Sequence, residues 1–217
     1  MLVNLSILNA DLNNIEDFLK PLLGIKIIHM DIMDGKFVKE TSFDEKIVKR
    51  SKETLPNTII DCHLMVENPI EKIQKYREAG ADYFTFHYET GNITNTINEI
   101  HKSGMKAGIS INPTTDVSSI VPYLDMLDLV LIMSVWPGRG GQSFIDSSVD
   151  KVKFLSDYRK ENNLNYLISI DGGINLKTYS LIKPYCDLAV VGSAITKSSD
   201  YVKTYNEYVS LFKKEEE

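Results

Sequence analysis

The feature that most constrains this chain is a beat. Short runs rich in β-branched and aliphatic residues alternate with longer segments of helical period, and the alternation repeats eight times. The strand-like runs are Val3–Leu8, Ile25–Asp31, Thr58–Met65, Tyr83–His87, Met105–Ile111, Leu127–Ser134, Tyr166–Asp171 and Asp187–Val191. Helices are expected near 12–22, 44–53, 69–79, 92–103, 116–123, 147–161, 175–183 and 198–212. Asn68-Pro69 supplies a cap and a proline for a first helical position, and Gly80 and Gly104 sit where helices should stop. Strands that alternate with helices pair in parallel. Eight such units in 217 residues leave about 27 residues for each, the least that a strand, a helix and two loops require. The expected fold is therefore α/β, a (β/α)8 TIM barrel, with residues 1–217 forming a single compact domain. An open doubly wound sheet usually shows a G-x-G-x-x-G turn after its first strand, and none follows Leu8.

Composition narrows the function classes. The chain is 43% hydrophobic and 25% charged, the mix of a soluble globular protein. Its net charge of -6 argues against a nucleic-acid partner, which wants a basic face. It does not exclude a small anionic ligand, because backbone amides hold phosphate without basic residues. The most apolar stretch, Leu127–Trp136, falls short of the roughly 20 residues that cross a bilayer. Met1-Leu2-Val3-Asn4 lacks the basic start of a signal peptide. Cys62 and Cys186 fit neither a disulfide framework nor a zinc ribbon, so a reducing, cytoplasmic location is expected. Disorder is expected only in the charge run Lys213–Glu217.

Barrels of this kind place their active sites at the C-terminal ends of the strands. Strand side chains alternate, so His29 and Asp31 point the same way, with Ile25 and Ile27. His63 ends the next strand, and Asp171 ends the seventh, just before Gly172-Gly173. Alone, a strand-end histidine more often packs, and an aspartate before Gly-Gly more often makes a turn. Together, His29, Asp31, His63 and Asp171 on three strand ends form a candidate site for one divalent metal ion, zinc, iron, manganese or cobalt. Seven of the twelve glycines lie beyond strand ends: Gly35, Gly138, Gly140, Gly141, Gly172, Gly173 and Gly192. Gly172-Gly173 and Gly192-Ser193 occupy the loops where such barrels often hold phosphate. The loop Trp136–Gln142 has the composition of a mobile lid, and its Arg139 is either a phosphate contact or a solvated charge. Met33, Met65 and Met133 reach the same rim, where thioethers pack adaptably around a ligand. His87 closes the fourth strand behind the ligands, His101 is expected on a helix surface, and Cys62 should face the helices.

On these residues the chain resembles the ribulose-phosphate 3-epimerase family. The similarity runs from about Leu5 to Ser199 and rests on stretches in order: Ser6–Asp11, His29–Val38, Asp61–Val66, Ala79–Asp82, Gly108–Pro113, Met133–Gln142, Asp171–Ile174 and Gly192–Ile195. The resemblance implies that His29, Asp31, His63 and Asp171 hold one divalent metal and that Asp31 and Asp171 are the acid/base pair. It implies that Ser6 touches the substrate, that the glycine loops at 172–173 and 192–193 bind its phosphate, and that loop 138–142, including Gln142, closes over it. The implied reaction is epimerisation at C3 of D-ribulose 5-phosphate to D-xylulose 5-phosphate through an enediolate. Inversion next to a carbonyl needs a base on each face, hence two carboxylates, and a Lewis acid for the charge that develops. No NAD and no Schiff-base lysine are implied. A homo-oligomer, a dimer or a larger ring, is the implied assembly.

The chain departs from the family pattern at three places. Val38-Lys39-Glu40 stands where Val-Pro-Asn is usual, Trp136 and Arg139 replace Asn and Phe in the lid, and Ser169 stands where Glu is common. Three alternatives follow. One is an epimerase of another ketose phosphate such as allulose 6-phosphate. The second is a phosphosugar decarboxylase, whose Asp-x-Lys-x-x-Asp motif is not matched from Asp31 onward. The third is a non-catalytic phosphosugar-binding barrel.

Overall fold

A computed structural model describes residues 1–213 of the chain, so the charge run expected to be disordered lies, beyond Lys213, outside the described residues. Eight parallel strands close on themselves in sequence order. They are β1 Leu2–Ser6, β2 Ile27–Met33, β3 Ile59–Met65, β4 Tyr83–His87, β5 Lys106–Ile111, β6 Leu129–Met133, β7 Leu167–Asp171 and β8 Leu188–Val191. The helices are α1 Ile15–Leu19, α2 Glu45–Thr54, α3 Ile73–Ala79, α4 Ile93–Lys102, α5 Ser148–Glu161, α6 Tyr179–Ile182, α7 Ser193–Thr196 and α8 Tyr201–Lys213. The expected (β/α)8 barrel is the observed fold, and every expected strand is present. No helix among the described residues is long and apolar enough to cross a membrane.

Three local expectations change. The segment between β5 and β6 is a run of 3-10 turns over Val117–Met126, because Pro122 inside it removes a helical N–H. The helix expected at 175–183 shrinks to α6. There the Asn175 side chain accepts from the Lys177 and Thr178 N–H groups, which competes with the helical ladder. Pro69 opens its helical turn as expected, but the Asn68 side chain makes no capping bond. Gly80 ends α3 with a left-handed φ of 96°.

Alternation along the strands makes two apolar layers. Ile27, Tyr83, Leu129, Leu131, Leu188 and Val190 fill the barrel interior. Ile28, Met30, Cys62, Phe84, Ile109, Val130 and Ile168 face outward and pack with Val48, Ile97 and Leu155 of the helices. Each such buried side chain contributes about 1.5–3 kcal/mol relative to exposure. Cys62 faces the helices as expected, Cys186 is also buried, and both are free thiols. Ile25 lies before the strand and packs in the outer layer rather than with Ile27.

One device recurs at the base of the barrel, the end opposite the strand C-termini. An aspartate just before β4, β6 and β8 (Asp82, Asp128, Asp187) accepts an N–H from the preceding strand: Ile60, Ala107 and Ile168, each at 2.8 Å. The same carboxylate takes a nitrogen from the helix that leads into that preceding strand: Lys52 of α2, His101 of α4 and Arg159 of α5. The expected surface residue His101 is therefore one of these clasps, although its side chain stays exposed.

Candidate metal centre and substrate pocket

The registers of the strands assemble the site. Ser6 of β1 lies beside His29 of β2, and Asp31 of β2 lies beside His63 of β3. Asp171 ends β7 beside Met133 of β6. Because β2 continues to Met33, two residues past its expected end, His29 and Asp31 sit below the rim, and Met33 and Met65 flank each other at the top. One ligand-type atom from each of His29, Asp31, His63 and Asp171 falls within 4.8 Å of the others, so the four can hold a metal ion. His29 and His63 are fully buried.

The donor set suits a divalent cation. His29 Nε2 is buried and has no hydrogen-bond partner among the described residues, although it lies 3.3 Å from Asp31 Oδ1 and 4.0 Å from Asp171 Oδ2. His63 turns its Nδ1 to the same Asp31 oxygen at 3.2 Å. A buried ring nitrogen with no hydrogen-bond partner, set beside two carboxylates, suits an N/O ligand set. Behind it, His29 Nδ1 donates to Asp61 Oδ2 at 2.8 Å, and Asn4 Nδ2 donates to the same oxygen at 2.7 Å. This carboxylate holds the ring and aims Nε2 at the cluster.

The protein's own charges split the two carboxyl groups of the cluster. Burial works to raise both. In Asp31 the His29 and His63 rings outweigh burial and hold the carboxyl well below the ordinary range, and Ser6 Oγ donates to its Oδ2 at 2.9 Å. In Asp171 burial is reinforced by the negative charge of Asp31, and the group is pushed up to about 7. His63 is lowered to about 4, first by burial and then by the neighbouring His87, while contact with Asp31 opposes both. Two carboxyl groups driven apart in this way can act as base and acid at one centre.

Above the cluster opens a cavity of about 430 Å³. It is lined by Ser6, Asp31 and Asp171, by Met33, Met65 and Met133, and by Gly138, Gly140, Gly141, Gln142, Gly172, Gly173, Gly192 and Ser193. All the residues expected to meet a ligand thus share one mouth, with the two histidines buried beneath. Gly173 has φ +64°, and a Cβ there would lie 2.6 Å from the Phe144 amide nitrogen, so this turn requires glycine. Arg139 lines the mouth but is neither free nor aimed inward: its Nε donates to Glu40 Oε1 at 2.6 Å. The loop after β6 is thereby tied to the loop after β2, and Gln142 closes the former on itself by donating to the Trp136 and Arg139 carbonyls.

Sequence reasoning missed several polar groups. Asn9, Asn175 and Lys197 also line the cavity. Asp61 went unread although the alternation that turns His63 inward turns Asp61 inward too. Lys197 lies one helical turn beyond Ser193, a spacing that was available.

The chain has relatives among known proteins. The model of the ribulose-phosphate 3 epimerase family matches residues 2–196. The ribulose-phosphate 3-epimerase of Bacillus subtilis is 41% identical over 213 residues, 93% of this chain and 95% of the relative. That of Aquifex aeolicus is 40% identical over 181 residues, 82% of this chain and 80% of the relative. The chloroplastic ribulose-5-phosphate-3-epimerase of Arabidopsis thaliana is 38% identical and is covered over 74% of its length by 94% of this chain. Among solved structures, 3-hexulose-6-phosphate synthase from Salmonella typhimurium superposes with a TM-score of 0.73 at 18% identity, covering 98% of each chain. At that identity the likeness concerns the fold alone.

Proposed function

The chain belongs to the ribulose-phosphate 3-epimerase family, and on that premise we propose a two-aspartate reaction on a single divalent metal ion. The protein is an enzyme that epimerises ribulose 5-phosphate at C3. The observation that carries the mechanism is the cluster in which Asp31 and Asp171, from β2 and β7, share a centre with two buried histidines.

His29 through Nε2, His63 through Nδ1 and one oxygen each of Asp31 and Asp171 would hold the ion. When bound, a divalent ion supplies Lewis-acid stabilisation for the negative charge that develops on the substrate oxygens. Removing a proton from one face of C3 and returning one to the other needs two groups, because one base does not reach both faces. Asp31 and Asp171 are those groups: each has an oxygen at the cavity floor. Ser6 Oγ, bonded to Asp31 Oδ2, steadies that carboxylate and presents a polar contact to the sugar. Met33, Met65 and Met133 cover the reacting carbon with groups that offer no proton. The turns at Gly172-Gly173 and Gly192-Ser193 meet the phosphate with backbone N–H groups, with Lys197 beside them. Loop 138–142 covers the bound sugar.

Solvent deuterium incorporation tests this reading. Metal-loaded protein is incubated in D2O with D-ribulose 5-phosphate and, separately, with allulose 6-phosphate. The expected result is deuterium at C3 and formation of xylulose 5-phosphate from the pentulose. Exchange from the six-carbon sugar alone would keep the mechanism and change the substrate. Absence of exchange from either, with metal bound, would overturn the catalytic reading.

A further inference from the structure

A chain of polar contacts, buried at its inner end, leaves the metal cluster through His63. His63 Nε2 meets His87 Nε2 at 2.9 Å, and His87 Nδ1 meets Glu89 Oε2 at 3.1 Å. The other Glu89 oxygen accepts from the Asn112 N–H at 2.8 Å and from the Thr115 hydroxyl. Lys151 of α5 donates to the carbonyls of Asn112, Pro113 and Thr115, which fixes the turn that presents those donors. Both imidazoles are fully buried, and the Phe37 ring packs on His87 with centroids 4.6 Å apart. The four atoms that bind the ion do not need this extension, yet every link in it is made.

The contact between two Nε2 atoms has one donor and one acceptor, so the tautomer of one ring dictates that of the other. We infer that Glu89, two residues past the end of β4, is a positioning residue that sets through His87 which nitrogen of His63 is bare. Burial alone would raise Glu89, but its bonds to His87, Thr115 and Asn112 outweigh burial and hold it at about 2, so it is ionised and only accepts. The Glu89 carboxylate therefore keeps a proton on His87 Nδ1, and in the neutral ring Nε2 is then the acceptor. His87 turns a bare Nε2 to His63, which donates from its own Nε2. The lone pair of His63 is left on Nδ1, the nitrogen that faces Asp31 and the cluster. Reversing the chain would put a proton on His63 Nδ1, between the ring and the metal position. Glu89 thus does for His63, through one intervening ring, what Asp61 does for His29 directly. This inference rests on the metal centre proposed above.

The experiment compares the full-length wild type with Glu89→Gln and Thr115→Val, using zinc as the probe. Zinc affinity is measured by competition with a chelator, and long-range 1H–15N spectra of the zinc-loaded proteins show which ring nitrogens carry protons. In the wild type, His87 is expected to carry its proton on Nδ1. In Glu89→Gln the amide oxygen is held by the Asn112 N–H and the amide nitrogen donates to His87. The His87 tautomer should then reverse and zinc affinity fall about 10- to 100-fold, while the His29 signals stay in place. Thr115→Val loosens the same loop but keeps the carboxylate, so the His87 pattern should persist. A wild-type His87 protonated on Nε2 would overturn the inference even if Glu89→Gln did not fold. So would equal zinc affinity in wild type and Glu89→Gln, which would leave the metal centre standing. A wild type that binds no zinc or other divalent ion would remove the centre and this inference with it.

Discussion

Asp31 and Asp171 begin as the same side chain and end with opposite tendencies. Asp31 is buried and Asp171 partly so, which favours the neutral acid in both. Asp31 meets two imidazoles and a serine hydroxyl, whereas Asp171 meets chiefly the negative charge of Asp31. In the proposed mechanism, replacing Asp171 with Asn removes a proton carrier and weakens a ligand together. Turnover should fall by at least about 100- to 10,000-fold with the fold intact, as steady-state kinetics and circular dichroism would show. Near-normal turnover would end the two-carboxylate mechanism. At this scale the sequence was informative where polarity was unexpected. His29, Asp31 and His63 stood out because strand alternation turned them inward among aliphatic neighbours. The supports behind them, Asp61 and Glu89, did not stand out. Their roles depend on which atom of a neighbouring ring they meet, and spacing along one strand does not carry that.

The elements that matter most are the turns after the strands. At Gly173 the chain crosses so close to Phe144 that a methyl group has no room, and the positive φ adds strain. Gly173→Ala should lower stability by about 1–3 kcal/mol in chemical denaturation. It should also raise KM for the sugar phosphate, since the displaced turn lines the mouth. Unchanged stability and KM would show that the turn yields without cost. All the strands were readable as aliphatic runs between breakers. The failures fell where side chains bargain with the backbone: Pro122 turned an expected helix into 3-10 turns, and the bonds of Asn175 and Thr178 shortened another. Hydrophobic period is blind to both, because the residues responsible are few and polar or lack an N–H.

Across the whole molecule, the two loops that depart from the family pattern meet each other. Glu40 and Arg139 are 99 positions apart in sequence, and their ion pair straps the loop after β6 to the loop after β2 beside the cavity mouth. Neither departure foretells the pairing, because the two loops lie far apart along the chain. The Arg139 side chain remains largely exposed, so the strap should matter to loop position more than to global stability. Glu40→Gln should leave the melting temperature nearly unchanged, alter KM more than kcat, and speed tryptic cleavage after Arg139. Equal cleavage rates would show that the pair does not restrain the loop. The opposite end of the barrel is fastened quite differently, by the three aspartate clasps before β4, β6 and β8. None of these clasps shares an atom with the cavity. Selection can therefore rewrite the loops on one face while the other keeps the closure intact, and such a separation lets a single architecture change its chemistry without first having to survive a loss of its foundation.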